Sequence, residues 1–359
     1  MCNAFKANGL HVTLVLNSSY NIDLQKAYKI LKSQYGDLVD FDLCLNTSMQ
    51  ARFNRFGKYV NNGYYKKIIN DISPDVCFVR APLMMRACVK SKVKYIYETH
   101  NNKMHLGSSF LSNYWSKILK KESKKDRLLT IIAISENLKK YWVKKGIEES
   151  RIIALHDGFP FNMFTPETSK EKARKNLDLP LDRKIVLYSG SLFADREIHN
   201  IVMLSENIPE ALFIVVGGPQ ENANHLQNLA DKKRLNNIRF VGRMAHNKIP
   251  QYLFASDILL GLWSKNVPTI NYCSPLKIFE YMASGRIIVA HSFPTIKEVL
   301  TDNKNALLTA PNEYGHLLLK VQEALSLSYP NPIAENARQE ALHRYTWGHR
   351  AQKIIESIS

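Results

Sequence analysis

Along the chain, short runs of β-branched and apolar residues alternate with longer stretches whose apolar positions recur every three or four residues. Apolar runs without period, separated by helical periodicity, predict a mostly parallel sheet covered by helices on both faces. In the first half the runs predict strands over 11–16, 75–80, 93–98, 128–134 and 151–155. A second series covers 184–188, 211–216, 238–241, 257–262 and 286–290. Between the two series, residues 158–182 hold three prolines and many polar side chains, which predicts an interdomain linker. The chain opens in a helical stretch, 1–7, with no strand or glycine loop ahead of it, so the first strand of an open sheet is expected to be missing. Two doubly wound domains in tandem are the economical reading. Ligands are then expected beyond the carboxyl ends of the strands, in a cleft between the halves.

Length and composition agree with that division and narrow the setting. At 359 residues and 45% hydrophobic content, the chain exceeds what a single core usually absorbs. Five scattered cysteines (Cys2, Cys44, Cys77, Cys88 and Cys273) without a C-x-x-C pair predict free thiols and a reducing, cytoplasmic setting. No apolar run is long enough to span a bilayer, and no signal peptide is expected. The net charge of +17 is uneven. The first 165 residues carry 26 Lys and Arg against 13 Asp and Glu, the remainder 23 against 19. A basic first half predicts an anionic partner such as acidic lipid, a lipid phosphate or nucleic acid.

The most informative stretch is YCSPLKIFEYMASGRIIVA, residues 272–290. Ser274 and Pro275 read as a helix N-cap and first-turn proline, and Gly285 as the stop before a strand. Leu276, Phe279 and Ala283 are predicted to face the sheet, with Lys277, Glu280 and Ser284 on another face. Free amides and the positive dipole end at the helix start attract phosphate. Lys277 adds a point charge, and Glu280, one turn deeper, can accept hydrogen bonds from ribose hydroxyls. An exposed Lys–Glu pair on an ordinary surface helix has the same spacing.

The segment SPLKIFEYMASGRIIVA resembles the signature of family 4 glycosyltransferases that read SP-x-K-x-x-E-Y-M-A-x-G. The segments YETHN (97–101), ISENLKKYWVKKGI (134–147), HDGFPFNMF (156–164), LYSGSLFADREI (187–198), FIVVGG (213–218), IRFVGRM (238–244) and YTWGHRA (345–351) follow in the family's order. The resemblance implies a GT-B fold of two Rossmann-like domains facing a cleft. Residues 1–163 would form the acceptor-side domain and 164–340 the nucleotide-sugar domain, with a C-terminal helix over 341–359 crossing back. It also implies a retaining transfer from a nucleotide-sugar to a glycan or lipid-linked acceptor, in surface polysaccharide or glycolipid synthesis. Glu280 would bind ribose. Ser274, Pro275 and Leu276 would present amides to the donor diphosphate, with Lys277 and Arg196 as cations and Gly190 and Ser191 beside them. Ser191 stands where the family usually has Arg. Arg243 would lie at the nucleotide base, and His100, with Glu98 nearby, over the sugar. Many members carry a further glutamate eight positions before Glu280, where this chain has Tyr272, which bears on sugar recognition more than on nucleotide binding.

Other features admit plainer readings. Asp40 and Asp42 spell D-x-D by chance, in an early strand of the wrong domain, and no His/Cys cluster has ligand spacing, so neither metal nor cofactor is expected. Between residues 110 and 127, Phe110, Leu111, Tyr114, Trp115, Ile118 and Leu119 share one helical face, with lysines mostly on the other. That pattern fits a core-packed helix, or an interfacial helix on an anionic inner membrane face. Without an RNA-binding, helix-turn-helix or zinc-knuckle motif, no nucleic-acid partner is expected. A nucleotide-sugar epimerase of the same fold, and an inactive relative serving as assembly partner, are the alternatives.

Overall fold

The computed structural model describes residues 1–17, 22–35, 40–46, 57–104 and 107–358. In chain order its strands are β1 (Thr13–Asn17), β2 (Asp42–Asn46), β3 (Val76–Val79), β4 (Lys94–Thr99), β5 (Leu128–Ala133), β6 (Ile152–Ala154), β7 (Ile185–Ser191), β8 (Leu212–Gly218), β9 (Ile238–Gly242), β10 (Ile258–Gly261), β11 (Ile287–His291) and β12 (Leu307–Thr309). The helices are α1 (Cys2–Ala7), α2 (Leu24–Tyr35), α3 (Gly57–Ile72), α4 (Pro82–Ser91), α5 (Ser109–Glu122), α6 (Glu136–Lys144), α7 (Lys170–Asn176), α8 (His199–Asn207), α9 (Gln220–Lys232), α10 (Ile249–Ala255), α11 (Leu276–Ser284), α12 (Tyr314–Ser326), α13 (Pro332–Arg344) and α14 (Trp347–Glu356). Among the described residues every strand pairing is parallel. Two compact units result. The first comprises Met1–His156, Tyr272–Ser274 and Arg350–Ser359, the second Asp157–Asn271 and Pro275–His349.

In the first unit β3 to β6 run side by side in chain order, and β1 pairs with β2 separately. Tyr95, Leu128, Ile131, Leu138, Trp142 and Ile152 form its main core, with Leu119 and Trp115 of α5 packed in. The D-x-D pair is engaged elsewhere: Asp40 meets Lys6 at 2.7 Å and Asp42 meets His11 at 2.8 Å.

In the second unit the strand order is β12-β11-β10-β7-β8-β9. Connections run one way from β7 to β9 and the other way from β10 to β12, so the order reverses between β7 and β10. At such a reversal the loops leaving the two strands diverge and open a crevice at their carboxyl ends. Gly190, Ser191, Leu262 and Trp263 lie at these two ends, and α11 follows β10.

The segment predicted as a linker is instead part of the second unit. It contains α7, and Phe159, Phe164 and Ala173 are fully buried. Phe164 packs edge-on against Phe159 and tilted against Phe254. Arg174, itself buried, donates to the carbonyls of Ala255, Pro180, Leu181 and Arg183 and to Asp257. One guanidinium thus ties the proline-rich stretch to the start of the second sheet. The prolines shape bends in a packed segment rather than marking a free connector.

Candidate active site

At the carboxyl end of β7 close approach of backbone and side chains requires glycine. Gly190 on β7 and Gly217 on β8 are partners across the sheet. A Cβ on Gly217 would lie 1.7 Å from the Gly190 carbonyl oxygen, and one on Gly190 would lie 2.8 Å from Lys277 Nζ. Gly190 has φ +145, a conformation that L side chains rarely adopt. Backbone without side chains is therefore found at Gly190 and Gly217, with the ammonium of Lys277 beside Gly190.

Lys277 Nζ is buried and has no hydrogen-bond partner among the described residues. It sits 4.1 Å from the centroid of the Tyr188 ring and 4.8 Å from that of Trp263. Two aromatic faces attract a cation but leave its hydrogen-bonding capacity unspent. Burial, with the nearby Arg196, pushes the Lys277 pKa down to about 7, although Glu280 opposes the shift. Arg196 ends the 3-10 turn Ala194–Arg196 ahead of α8, and its Nε donates to Ser191 Oγ at 3.3 Å. The roof over Lys277 is held from behind: His291, at the end of β11, places Nδ1 2.6 Å from the Trp263 carbonyl.

Helix α11 is fixed by Tyr281, whose hydroxyl accepts from the Ser189 amide at 2.9 Å and lies 3.4 Å from the Leu260 carbonyl. That side chain bolts the helix to β7 and β10 together. The predicted helix start moves by one residue: Pro275 is the N-cap and no side chain caps the helix. Ser274 precedes it and belongs to the first unit. Gly285 ends the helix in the left-handed region, as predicted. The predicted faces are corrected as well, because Leu276 is exposed and every residue from Ile278 to Ser284 is buried. Glu280 is among them, and its Oε1 lies 2.6 Å from His246 Nε2. Arg243 is exposed in the loop after β9.

In the first unit, the end of β4 carries a second charged centre. Glu98 is fully buried, with Oε1 2.7 Å from Arg80 Nε and 2.6 Å from His100 Nε2, and Oε2 accepting from Arg350 Nη2 at 2.7 Å. Burial alone would raise its pKa, but the bond from His100 and the charges of Arg350 and Arg80 outweigh it and hold the carboxyl at about 2. Tyr272 belongs to this unit also: its carbonyl accepts from Ser135 Oγ, and its ring packs edge-on against Tyr141 at 5.7 Å.

Two units of parallel sheet and helix, the second with its strand order reversing at β7/β10, have counterparts in fold among known proteins. Residues 169–341 match the family model described as glycosyl transferases group 1. The chain is 26% identical over 251 residues to the chitobiosyldiphosphodolichol beta-mannosyltransferase of Candida albicans, covering 64% of this chain and 53% of that one. It is 22% identical over 217 residues to the D-inositol 3-phosphate glycosyltransferase of Mycolicibacterium smegmatis, covering 59% and 48%. It thus spans about half the length of the curated relatives it matches. Anabaena HepE, solved with UDP and glucose, superposes with a TM-score of 0.73 at 19% identity, over 99% of this chain and 94% of that one. WaaG, a glycosyltransferase of lipopolysaccharide biosynthesis, gives 0.65 at 17% identity, over 100% and 94%. The fold is GT-B.

Within the region that matches the group 1 model the structure gathers Gly190, Ser191, Arg196, Lys277 and Glu280 around the start of α11, with Pro275 and Leu276 at its first turn. Arg243 lies two strands away at the end of β9. His100 lies in the other unit. His246 escaped the sequence reading: it stands alone in AHNK, 34 positions before Glu280, and no local pattern marks it. Tyr188 ends one predicted strand and Trp263 follows another, and nothing in the spacing of either marks a contact with Lys277. Among the described residues no three His, Cys, Asp or Glu side chains gather to hold a metal ion.

The Lys277 ammonium costs stability when no anion is present. Its folded pKa lies below the ordinary lysine value, so above pH 7 the unfolded chain binds more protons and stability rises with pH. Lys277→Met should therefore stabilise the unliganded protein at pH 7 by about 1–3 kcal/mol, the advantage shrinking by pH 9, as read by urea denaturation. A variant less stable than wild type at pH 7 would show that the ammonium is already paired.

Proposed function

We propose that this protein transfers a sugar from a nucleotide-sugar donor to a hydroxyl acceptor with retention of configuration, without a metal ion. The observation that carries the reading is the unpaired, buried ammonium of Lys277 beside the uncapped start of α11. A diphosphate would supply the missing anion, with Arg196 as second cation and the first-turn amides as donors. As the bond from the sugar's anomeric carbon to the diphosphate oxygen breaks, these groups stabilise the charge on the leaving group. The acceptor oxygen then attacks on the face the diphosphate leaves, its proton passing to the departing phosphate. Glu280 would receive the ribose hydroxyls and Arg243 would lie at the base. In this reading His100 faces the transferred sugar and is held by Glu98. The relatives that act on dolichol-linked and inositol phosphate acceptors, and HepE with UDP and glucose, support the same substrate classes.

For the acceptor, α5 favours a lipid-linked molecule. Its buried stripe is Ser112, Trp115, Leu119 and Glu122, which leaves Phe110 80% and Tyr114 46% exposed. Lys117, Lys120 and Lys121 are exposed on the same helix and Lys124 and Lys125 just after it. The interfacial alternative is thereby favoured for the first turns, with aromatic side chains at headgroup depth and lysines toward anionic lipid. No helix among the described residues is long and apolar enough to cross a membrane. Co-sedimentation with phosphatidylglycerol vesicles should fall with added salt and in a Phe110→Ser, Tyr114→Ser double variant; equal pelleting of both proteins would remove the membrane reading.

The donor site is tested by thermal melts with UDP, GDP, ADP and CMP and their sugars, each with and without EDTA. A nucleotide at about 100 times its dissociation constant should add about 2.7 kcal/mol to the folded state. One base should stabilise wild type regardless of EDTA, with most of the shift lost in Glu280→Ala. Silence from all four nucleotides would contradict the assignment, and donor conversion without acceptor would favour an epimerase.

A further inference from the structure

Lys277 and Glu280 are three residues apart on α11, the spacing at which a lysine and a glutamate on a helix ordinarily pair. Here they do not. The Lys277 ammonium lies against the Tyr188 and Trp263 rings with no hydrogen-bond partner, and the Glu280 carboxylate is turned to His246. The interaction between the two charges is still present, since Glu280 acts to raise the Lys277 pKa. Some other contact must keep the carboxylate from closing on the ammonium.

His246 supplies it. The residue opens the 3-10 turn His246–Lys248 ahead of α10, and its Nε2 lies 2.6 Å from Glu280 Oε1. A carboxylate only accepts, so Nε2 is the donor whether the ring is neutral or charged. The Glu280 side chain is 10% exposed, and Oε2 has no protein partner among the described residues. One carboxylate oxygen is therefore anchored and the other is offered, on a helix that Tyr281 bolts to β7 and β10.

We propose that His246 is a positioning residue that withholds Glu280 from Lys277, so that Oε2 faces the ribose diol while the ammonium stays free for the diphosphate. The proposal rests on the donor-site reading above and adds a separate claim to it. Without His246 the carboxylate swings to Lys277, and one internal ion pair consumes both ligand groups at once. A residue that merely filled space would not link the two losses.

The test uses His246→Leu, His246→Gln, Glu280→Gln and the His246→Leu, Glu280→Gln double variant, each checked for a cooperative melt. Calorimetric affinities are measured for inorganic pyrophosphate, for UDP, GDP, ADP and CDP, and for the 2′-deoxy counterpart of whichever nucleotide binds. Wild type should prefer the ribonucleotide about tenfold or more, the worth of a hydrogen bond to a charged group. His246→Leu should lose that preference and also bind pyrophosphate about tenfold more weakly. His246→Gln, whose amide can donate to Oε1, should restore both. In the double variant, where no carboxylate remains to capture Lys277, pyrophosphate affinity should return while diol preference stays lost. If Glu280→Gln abolishes the preference but His246→Leu keeps it, or if the double variant does not regain pyrophosphate, the positioning role is wrong and the donor site stands. A wild type that binds no nucleotide, or does not distinguish the diol, overturns the donor-site reading and this inference together.

Discussion

The second unit holds a buried ammonium that makes no ion pair among the described residues. Lys277 is carried to the β7/β10 reversal by α11, roofed by Tyr188 and Trp263, and approached by bare glycine backbone. Burying an unpaired charge is costly, and the usual outcome is loss of the proton; a pKa near 7 is that response in part. The surrounding structure makes sense as a means of sustaining this state. Tyr281 fixes the helix, His291 fixes the Trp263 backbone, and His246 engages the Glu280 carboxylate three positions from the lysine. Under the proposed function, a site held in this condition is preorganised for an anion, which would compensate the charge on binding.

The first unit uses the opposite arrangement. Glu98 is as buried as any residue in the chain, yet it is paired with two arginines and a histidine, and its carboxyl stays ionised well below the ordinary range. Arg350 comes from α14, some 250 positions along the chain, and also donates to the His156 carbonyl. The C-terminal helix is thereby tied to the strand end that carries His100. One unit thus holds a buried cation without an ion pair among the described residues, and the other holds a buried anion with three basic partners.

Much of this was legible from the chain, for identifiable reasons. The β-branched runs located ten strands to within a few residues because strands covered on both faces must be apolar throughout. Both β2 and the short β12 lie outside those ten runs, and the three residues of β12 carry no period. Residues 158–182 misled because proline and polar side chains mark loops statistically, whereas Arg174 binds that segment through backbone carbonyls, which no side-chain pattern reveals. In α11 the spacing of Lys277 and Glu280 was visible, but the helix is buried on nearly every side, with Tyr281, Ser284 and Glu280 each given a hydrogen-bond partner inside that no spacing reveals. His246 was invisible, since its significance lies in a carboxylate brought to it by the fold from 34 positions away.

The central claim is that the Lys277 ammonium awaits an anion. Calorimetry of UDP binding at pH 8 in buffers of different ionisation enthalpy, with GDP and ADP as alternates, measures the protons taken up on binding. If the free lysine is mostly neutral at that pH and charged when the diphosphate is bound, uptake should approach one proton per site in wild type and vanish in Lys277→Met. Binding without proton uptake, or with the same uptake in both proteins, would contradict the account.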